Sequence, residues 1–180
     1  MAQQIALRKF AEADIPNKVR WINDPEVNRY LHYDVPLTEE KTHAWYLQKK
    51  ADAGRSDYVI EAIAEGKPIP VGLVGLLNID SKNRKAEFYI AVGEKGHWGK
   101  GVAAAASTLF IRQCFRQYGL NKIYCFTETG NLSAQRLFEK LGFKKEGSLR
   151  EDLIHNGQVL DRFAYGLLKR EFCITDDAHE

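Results

Sequence analysis

The stretch AVGEKGHWGKGVAAAAS, Ala91 to Ser107, runs from an apolar strand through a glycine-rich turn directly into a helix. Gly99 and Gly101 let the backbone turn tightly and aim consecutive N–H groups at one point. The helix that follows adds the positive end of its dipole. The predicted product is an anion site made of main chain, suited to a phosphate or pyrophosphate.

Two common readings of such a loop fail. A P-loop needs G-x-x-x-x-G-K-[ST]; Gly99-Lys100 supplies its end, but position 94 is Glu and position 101 is Gly. A dinucleotide fingerprint, G-x-G-x-x-[GA], is satisfied by Gly99, Gly101 and Ala104, with Glu128 after the next strand. Its context is wrong, because that fingerprint sits in the first turn of repeated strand-helix-strand units. Here two helical segments come first, and then three strand-like runs, at Asp57 to Ala64, Val71 to Ile79 and Ala86 to Val92. These predict an antiparallel meander feeding one crossover helix, and a nicotinamide enzyme falls to a remote third choice.

The remaining elements follow the same logic. A strand at Ile5 to Phe10 precedes a helix opening near Ala13 and Asp14, and Thr38 with its following acids caps another. The helix after the glycine turn runs to about Tyr118 and stops at Gly119. A strand at Asn121 to Thr127 leads to a helix from Asn131 to Gly142. Strands at Leu149 to Ile154 and Val159 to Leu168 flank His155-Asn156-Gly157-Gln158, and Asn-Gly is a strong hairpin signal.

At 180 residues with 44% apolar and 28% charged residues, the chain has material for one buried core. We read one domain over 1–174 and a loose C-terminal tail over 175–180. Lys and Arg outnumber Asp and Glu by 26 to 24, which gives no support to nucleic-acid binding. No run is long and apolar enough to span a bilayer and the amino terminus lacks signal-peptide architecture, so no membrane partner and a cytoplasmic location are expected. Cys114, Cys125 and Cys173 are widely spaced in apolar patterns, so neither a disulfide framework nor a metal site is indicated.

Trp98-Gly99-Lys100-Gly101-Val102-Ala103, the strand before it and the segment Asn131-Leu-Ser-Ala-Gln-Arg-Leu-Phe-Glu-Lys-Leu-Gly-Phe143 together resemble a GCN5-related N-acetyltransferase. The likeness covers roughly Leu7 to Phe172. The W-G-K-G turn, the segment Arg20 to Val27 and the ending Gly166 to Phe172 are similar to the ribosomal-protein alanine acetyltransferase (RimJ/RimL-like) branch. Arg20 to Leu31 with Leu37 to Gln48 also resembles amino-sugar acetyltransferases of surface-glycan pathways.

The resemblance implies an α+β, α/β/α layered fold. Its mostly antiparallel sheet of about seven strands carries four helices and a splayed central strand pair. It implies acetyl-CoA as co-substrate. Main-chain groups near Ile90 and Val92 and the side chain of Asn131 would meet the pantetheine, Trp98 to Ala103 the pyrophosphate, with Lys100 assisting, and Phe138 would line the site. An alkylammonium is no nucleophile at neutral pH, so a base must take its proton; Glu87 on the central strand is the candidate. Relatives often carry tyrosine where this chain has Phe138 and serine where it has Ala134. The acid that would protonate the leaving thiolate is then absent or supplied by Tyr33 or Tyr165. Tyr30, His32, Tyr33, Asp34, Arg150, Glu151 and Asp152 are expected to wall the acceptor. The acceptor could be an amino sugar on a nucleotide, a protein amino terminus or a polyamine. A non-catalytic module that binds acetyl-CoA is the alternative, and an edge strand near the carboxyl terminus allows a homodimer.

Overall fold

The computed structural model describes residues 3–172; the expectations for Cys173 and for the tail at 175–180 lie outside them. Among the described residues, five α-helices and seven β-strands follow in the order β1 (Ile5–Lys9), α1 (Ile15–Asn23), α2 (Pro25–Asn28), α3 (Glu39–Lys49), β2 (Ser56–Ala64), β3 (Lys67–Asp80), β4 (Lys85–Val92), α4 (Val102–Gln117), β5 (Lys122–Glu128), α5 (Leu132–Lys140), β6 (Lys144–His155) and β7 (Gln158–Leu168). The strands form one sheet in the order β1-β2-β3-β4-β5-β7-β6. All neighbours are antiparallel except β4 and β5. This is the expected layered α+β architecture.

Both faces of the sheet are covered, which is why consecutive residues of β2 such as Val59 and Ile60 are each fully buried. Tyr58, Ile60, Val74 and Phe88 pack with Val102, Ala106 and Phe110 of α4 and with Phe138 of α5. On the opposite face Val59 and Leu73 meet Trp21 of α1 and Val27 of α2, with Tyr89 and Leu31 alongside. Trp21 lies flat against Gly93, where a Cβ would come within 2.1 Å of the indole. Its Nε1 donates to Glu94 Oε1 at 2.7 Å. The Arg20 guanidinium beside Glu94 holds that carboxyl below its ordinary range.

The central parallel pair is short. β4 and β5 pair only at Lys85↔Lys122, Ala86↔Ile123 and Glu87↔Tyr124. Beyond Glu87, β4 stays with β3 as far as Val92↔Gly72, while β5 stays with β7 as far as Glu128↔Arg162. The two strands therefore diverge as a V with Glu87 and Tyr124 at its closed apex.

Some boundaries differ from expectation for local reasons. The first helix starts at Ile15 after a 3-10 turn at Glu12–Asp14, because the Asp14 carboxylate is taken by Arg8 and by the Ala11 N–H. The helix in excess of the expected four is the single turn α2, started by Pro25 and capped by Asp24 Oδ1 on the Glu26 N–H. β6 begins at Lys144 rather than Leu149: its first residues, KKEGS, lie on the exposed sheet edge and carry no apolar alternation. The hairpin turn falls on Asn156 and Gly157, with φ of 49° and 75°, the left-handed pair that a two-residue turn demands.

Candidate active site

The V opens into a cavity of about 660 Å³. Ile90, Ala91 and Val92 of β4 line one side, Asn131, Ala134 and Phe138 of the α5 segment the other, Gly99 and Gly101 to Ala104 the end, and Tyr30 and Leu31 the lip. Strand geometry decides which main-chain groups face in. The Gly93 N–H bonds Val71 of β3, so by alternation the N–H and C=O of Val92 and Ile90 point away from β3, into the gap. Those are the two positions expected there. The Val92 carbonyl is already engaged, accepting from Trp98 Nε1 at 2.8 Å, which leaves the Val92 N–H and the Ile90 groups for a ligand. Four residues of register from the apex, Ala91 and Glu128 stand level; Thr127 stands level with Ile90. Thr127 Oγ1 is buried with no hydrogen-bond partner, on the α4–α5 face of β5 and outside the residues that line the cavity.

Beyond Val92, where the strands stand apart, Gly101 is the N-cap of α4 with φ of 79°, and Gly99 is likewise left-handed at 71°. The first helical bond is from the Ala105 N–H to the Gly101 carbonyl, so the N–H groups of Val102, Ala103 and Ala104 precede it and carry the dipole's positive end. Val102 itself is buried in the core and contributes main chain only. Trp98 is 42% exposed, an indole shelf over the turn. Lys100 is exposed and does not line the cavity. Positive charge comes instead from Arg29, Arg136 and Lys140, all on its wall. Arg136 and Lys140 escaped the sequence reading, although their i,i+4 spacing on one helix face was the available signal.

Asn131 caps α5, its Oδ1 accepting from the Ala134 N–H at 3.1 Å, which leaves Nδ2 to the cavity. Phe138 is 5% exposed and packed among Phe88, Phe143 and Tyr165, an apolar floor with no proton to give. Tyr165 is fully buried with its hydroxyl 3.3 Å from Glu139, so it faces away from the cavity. Burial and Glu139 both push its phenol up. Cys114 and Cys125 are buried free thiols, Cys114 pushed up to about 12 by desolvation.

The acceptor-side expectations divide. Tyr30 lines the cavity, its hydroxyl 3.4 Å from the Gly130 carbonyl. His32 contacts Glu128, the acid noted only as part of the rejected fingerprint, and His155, read only as a turn residue. Tyr33 lies elsewhere: its main chain is clasped by Asn28 and its ring faces Lys18, and burial raises its phenol. Arg150, Glu151 and Asp152 line a separate shallow depression with Asp161. Glu87 sits at the apex, accepting from Asn78 Nδ2 at 2.8 Å, outside the residues that line the cavity.

This layout of main-chain donors, open strand edge and basic wall fits a nucleotide-tailed, amide-bearing chain. The chain belongs to the acetyltransferase (GNAT) domain family, whose model matches residues 4–144. It is 30% identical over 176 residues to an uncharacterized N-acetyltransferase, p20, of Bacillus licheniformis, covering 94% of this chain and 96% of that one. With the spermidine N(1)-acetyltransferase of Escherichia coli it shares 29% identity over 95% of this chain and 89% of that one. The spermidine N-acetyltransferase of Vibrio cholerae, crystallised with CoA and spermine, superposes with a TM-score of 0.85 at 27% identity, covering 94% and 98% of the two chains. The protein is an acetyl-CoA-dependent N-acetyltransferase.

Proposed function

We propose that the chain moves the acetyl group of acetyl-CoA directly to a primary amine that enters from the sheet face bearing Tyr89, Phe126 and Glu128. The carrying observation is the splayed β4–β5 gap, with Ile90 main chain on one side, Asn131 on the other and the α4 N-terminus at its end. When bound, the coenzyme supplies an activated acyl group as a thioester. The residues proposed to hold it are Ile90, Val92, Trp98 to Ala103, Asn131 and Phe138, with Arg136 and Lys140 near its phosphates. Binding by main chain in this way depends little on side-chain identity. Tyr30 and His32 stand at the amine's entrance.

Three amines fit the aromatic and mixed-charge entrance: a polyamine, a protein amino terminus and an amino sugar on a nucleotide. The polyamine reading is supported by likeness to spermidine acetyltransferases over nearly the whole chain. The RimJ/RimL-like turn at Trp98 to Ala103 supports protein amino termini. The test is thiol release from acetyl-CoA with spermidine, an alanine-terminated peptide and an amino-sugar nucleotide. Release above background with one class names the acceptor, and silence with all three alongside calorimetric coenzyme binding would overturn all three acceptor readings.

A further inference from the structure

Three titratable side chains from three separate segments meet on the face of the sheet opposite α4 and α5: His32 from the α2–α3 connection, Glu128 from the end of β5 and His155 from the end of β6. His32 Nε2 is in direct hydrogen-bond contact with Glu128 Oε1, and the two side chains are only 15% and 14% exposed. The His155 ring meets His32 edge to face, centroids 5.1 Å apart. His32 is held at φ of 58°, a left-handed backbone that a non-glycine residue adopts at some cost and keeps only where its surroundings impose it.

The cluster lies at the mouth of the V. Tyr30 and Leu31, immediately before His32, line the cavity, as do Ala91, level with Glu128, and Asn131, three residues after it. On β5, Ile123, Cys125 and Thr127 are buried on the α4–α5 side, so Tyr124, Phe126 and Glu128 share the other face. The remaining polar and charged groups around the cluster are committed. Arg162, opposite Glu128 in the β5–β7 ladder, pairs with Asp152 and stacks on Phe126. Asn156 Nδ2 contacts His155 Nε2, and Arg29 stacks on Tyr30. Glu87 is on the same face but four residues back, about 13 Å at roughly 3.3 Å per strand residue.

We propose that the His32–Glu128 pair, buttressed by His155, receives the proton of the acceptor amine. This rests on the transferase reading. The amine nitrogen forms its bond to the acetyl carbonyl carbon as the carbon–sulfur bond breaks with its electron pair on sulfur. An acceptor that arrives as ammonium first gives one proton through the pair to solvent; the second proton on nitrogen then passes to the pair and from there to the thiolate, so that amide and thiol leave and nothing is oxidised or reduced. An imidazole whose orientation and tautomer are set by a carboxylate is suited to this work at neutral pH.

The experiment compares wild type with Glu128→Gln, His32→Gln and Glu87→Gln, using the amine that wild type accepts. The readouts are kcat against pH, coenzyme affinity by calorimetry and the ring ¹⁵N shifts of His32 in the free protein. Glu128→Gln and His32→Gln are expected to lower kcat by roughly a hundredfold and flatten the acid limb of its profile. Coenzyme affinity should hold within about twofold, and Glu128→Gln should change the His32 tautomer signature. Should Glu128→Gln fail to fold, Glu128→Asp, which keeps but retracts the carboxylate, should lose about tenfold with the acid limb kept. An active wild type whose pair variants keep their kcat overturns this inference alone. The same holds if Glu87→Gln takes the large loss instead, which would assign the proton to the apex. A wild type silent toward every amine overturns the transferase reading and this inference together.

Discussion

Lys18 on α1 shows how one residue's chemistry is set by its neighbours. It is 4% exposed, with its Nζ 3.2 Å from the centroid of Trp45 and within reach of the Phe10 and Tyr33 rings. Desolvation, with Arg55 adding and Asp57 opposing, lowers its ammonium to about 8. The aromatic faces pull the other way, since they favour the cation. Because the folded value lies below the ordinary 10.5, the unfolded chain binds more protons between the two, and stability should rise as pH goes from about 8 towards 10.5. The rise should amount to about 1 to 3 kcal/mol. Urea unfolding of wild type and Lys18→Met at pH 7.5 and 10 checks it: the variant should lose the slope, and parallel curves would refute it. At this scale the sequence was legible where chemistry is intrinsic. Phe138 has no hydroxyl in any fold. It was illegible where contacts decide, since nothing in the spacing of His32, Glu128 and His155 says that they touch.

Among elements, the turn into α4 carries the functional load. Gly101 holds φ of 79° with open space where a Cβ would stand, so Gly101→Ala meets no clash and tests conformation alone. A left-handed alanine costs about 1 kcal/mol. Relaxing that strain would rotate the amides of Val102 to Ala104 away from a common point. Gly101→Ala should therefore lower unfolding stability by about 1 kcal/mol and raise the coenzyme Kd by roughly tenfold. Calorimetry and urea melts on one preparation separate the two effects, and an unchanged Kd would mean that these amides do not carry the affinity. The hairpin around Asn156-Gly157 was legible because its turn chemistry is local, whereas the start of β6 was not, because an exposed edge strand carries no periodic pattern.

Taken whole, the molecule is two sheet halves, β1 to β4 and β5 with β7 and β6, joined at the sheet by three residue pairs, by packing of α4 and α5, and by the contacts of Tyr30 and His32 with Gly130, Glu128 and His155. Past Glu87 the gap-facing amides of β4 have no strand partner. Hydrogen exchange at Ile90 and Val92 should therefore be fast in the free protein and slow by at least tenfold when coenzyme A is added. Exchange in β2 and β3 should follow only the global gain in stability. Equal slowing everywhere would mean that the ligand does not lie along β4.

The chain by itself determined what depends on short-range rules: a strand, a left-handed glycine turn and a helix start at Ala91 to Ser107, a meander before them and an Asn-Gly hairpin after. Tertiary structure decided what depends on register between distant strands. The early end of the β4–β5 ladder opens the cavity, leaves Glu87 at the apex and brings Glu128 of β5 to the mouth beside His32. Backbone geometry is written locally in side-chain size and φ preference, whereas proximity across a sheet is set by pairings that no single segment encodes.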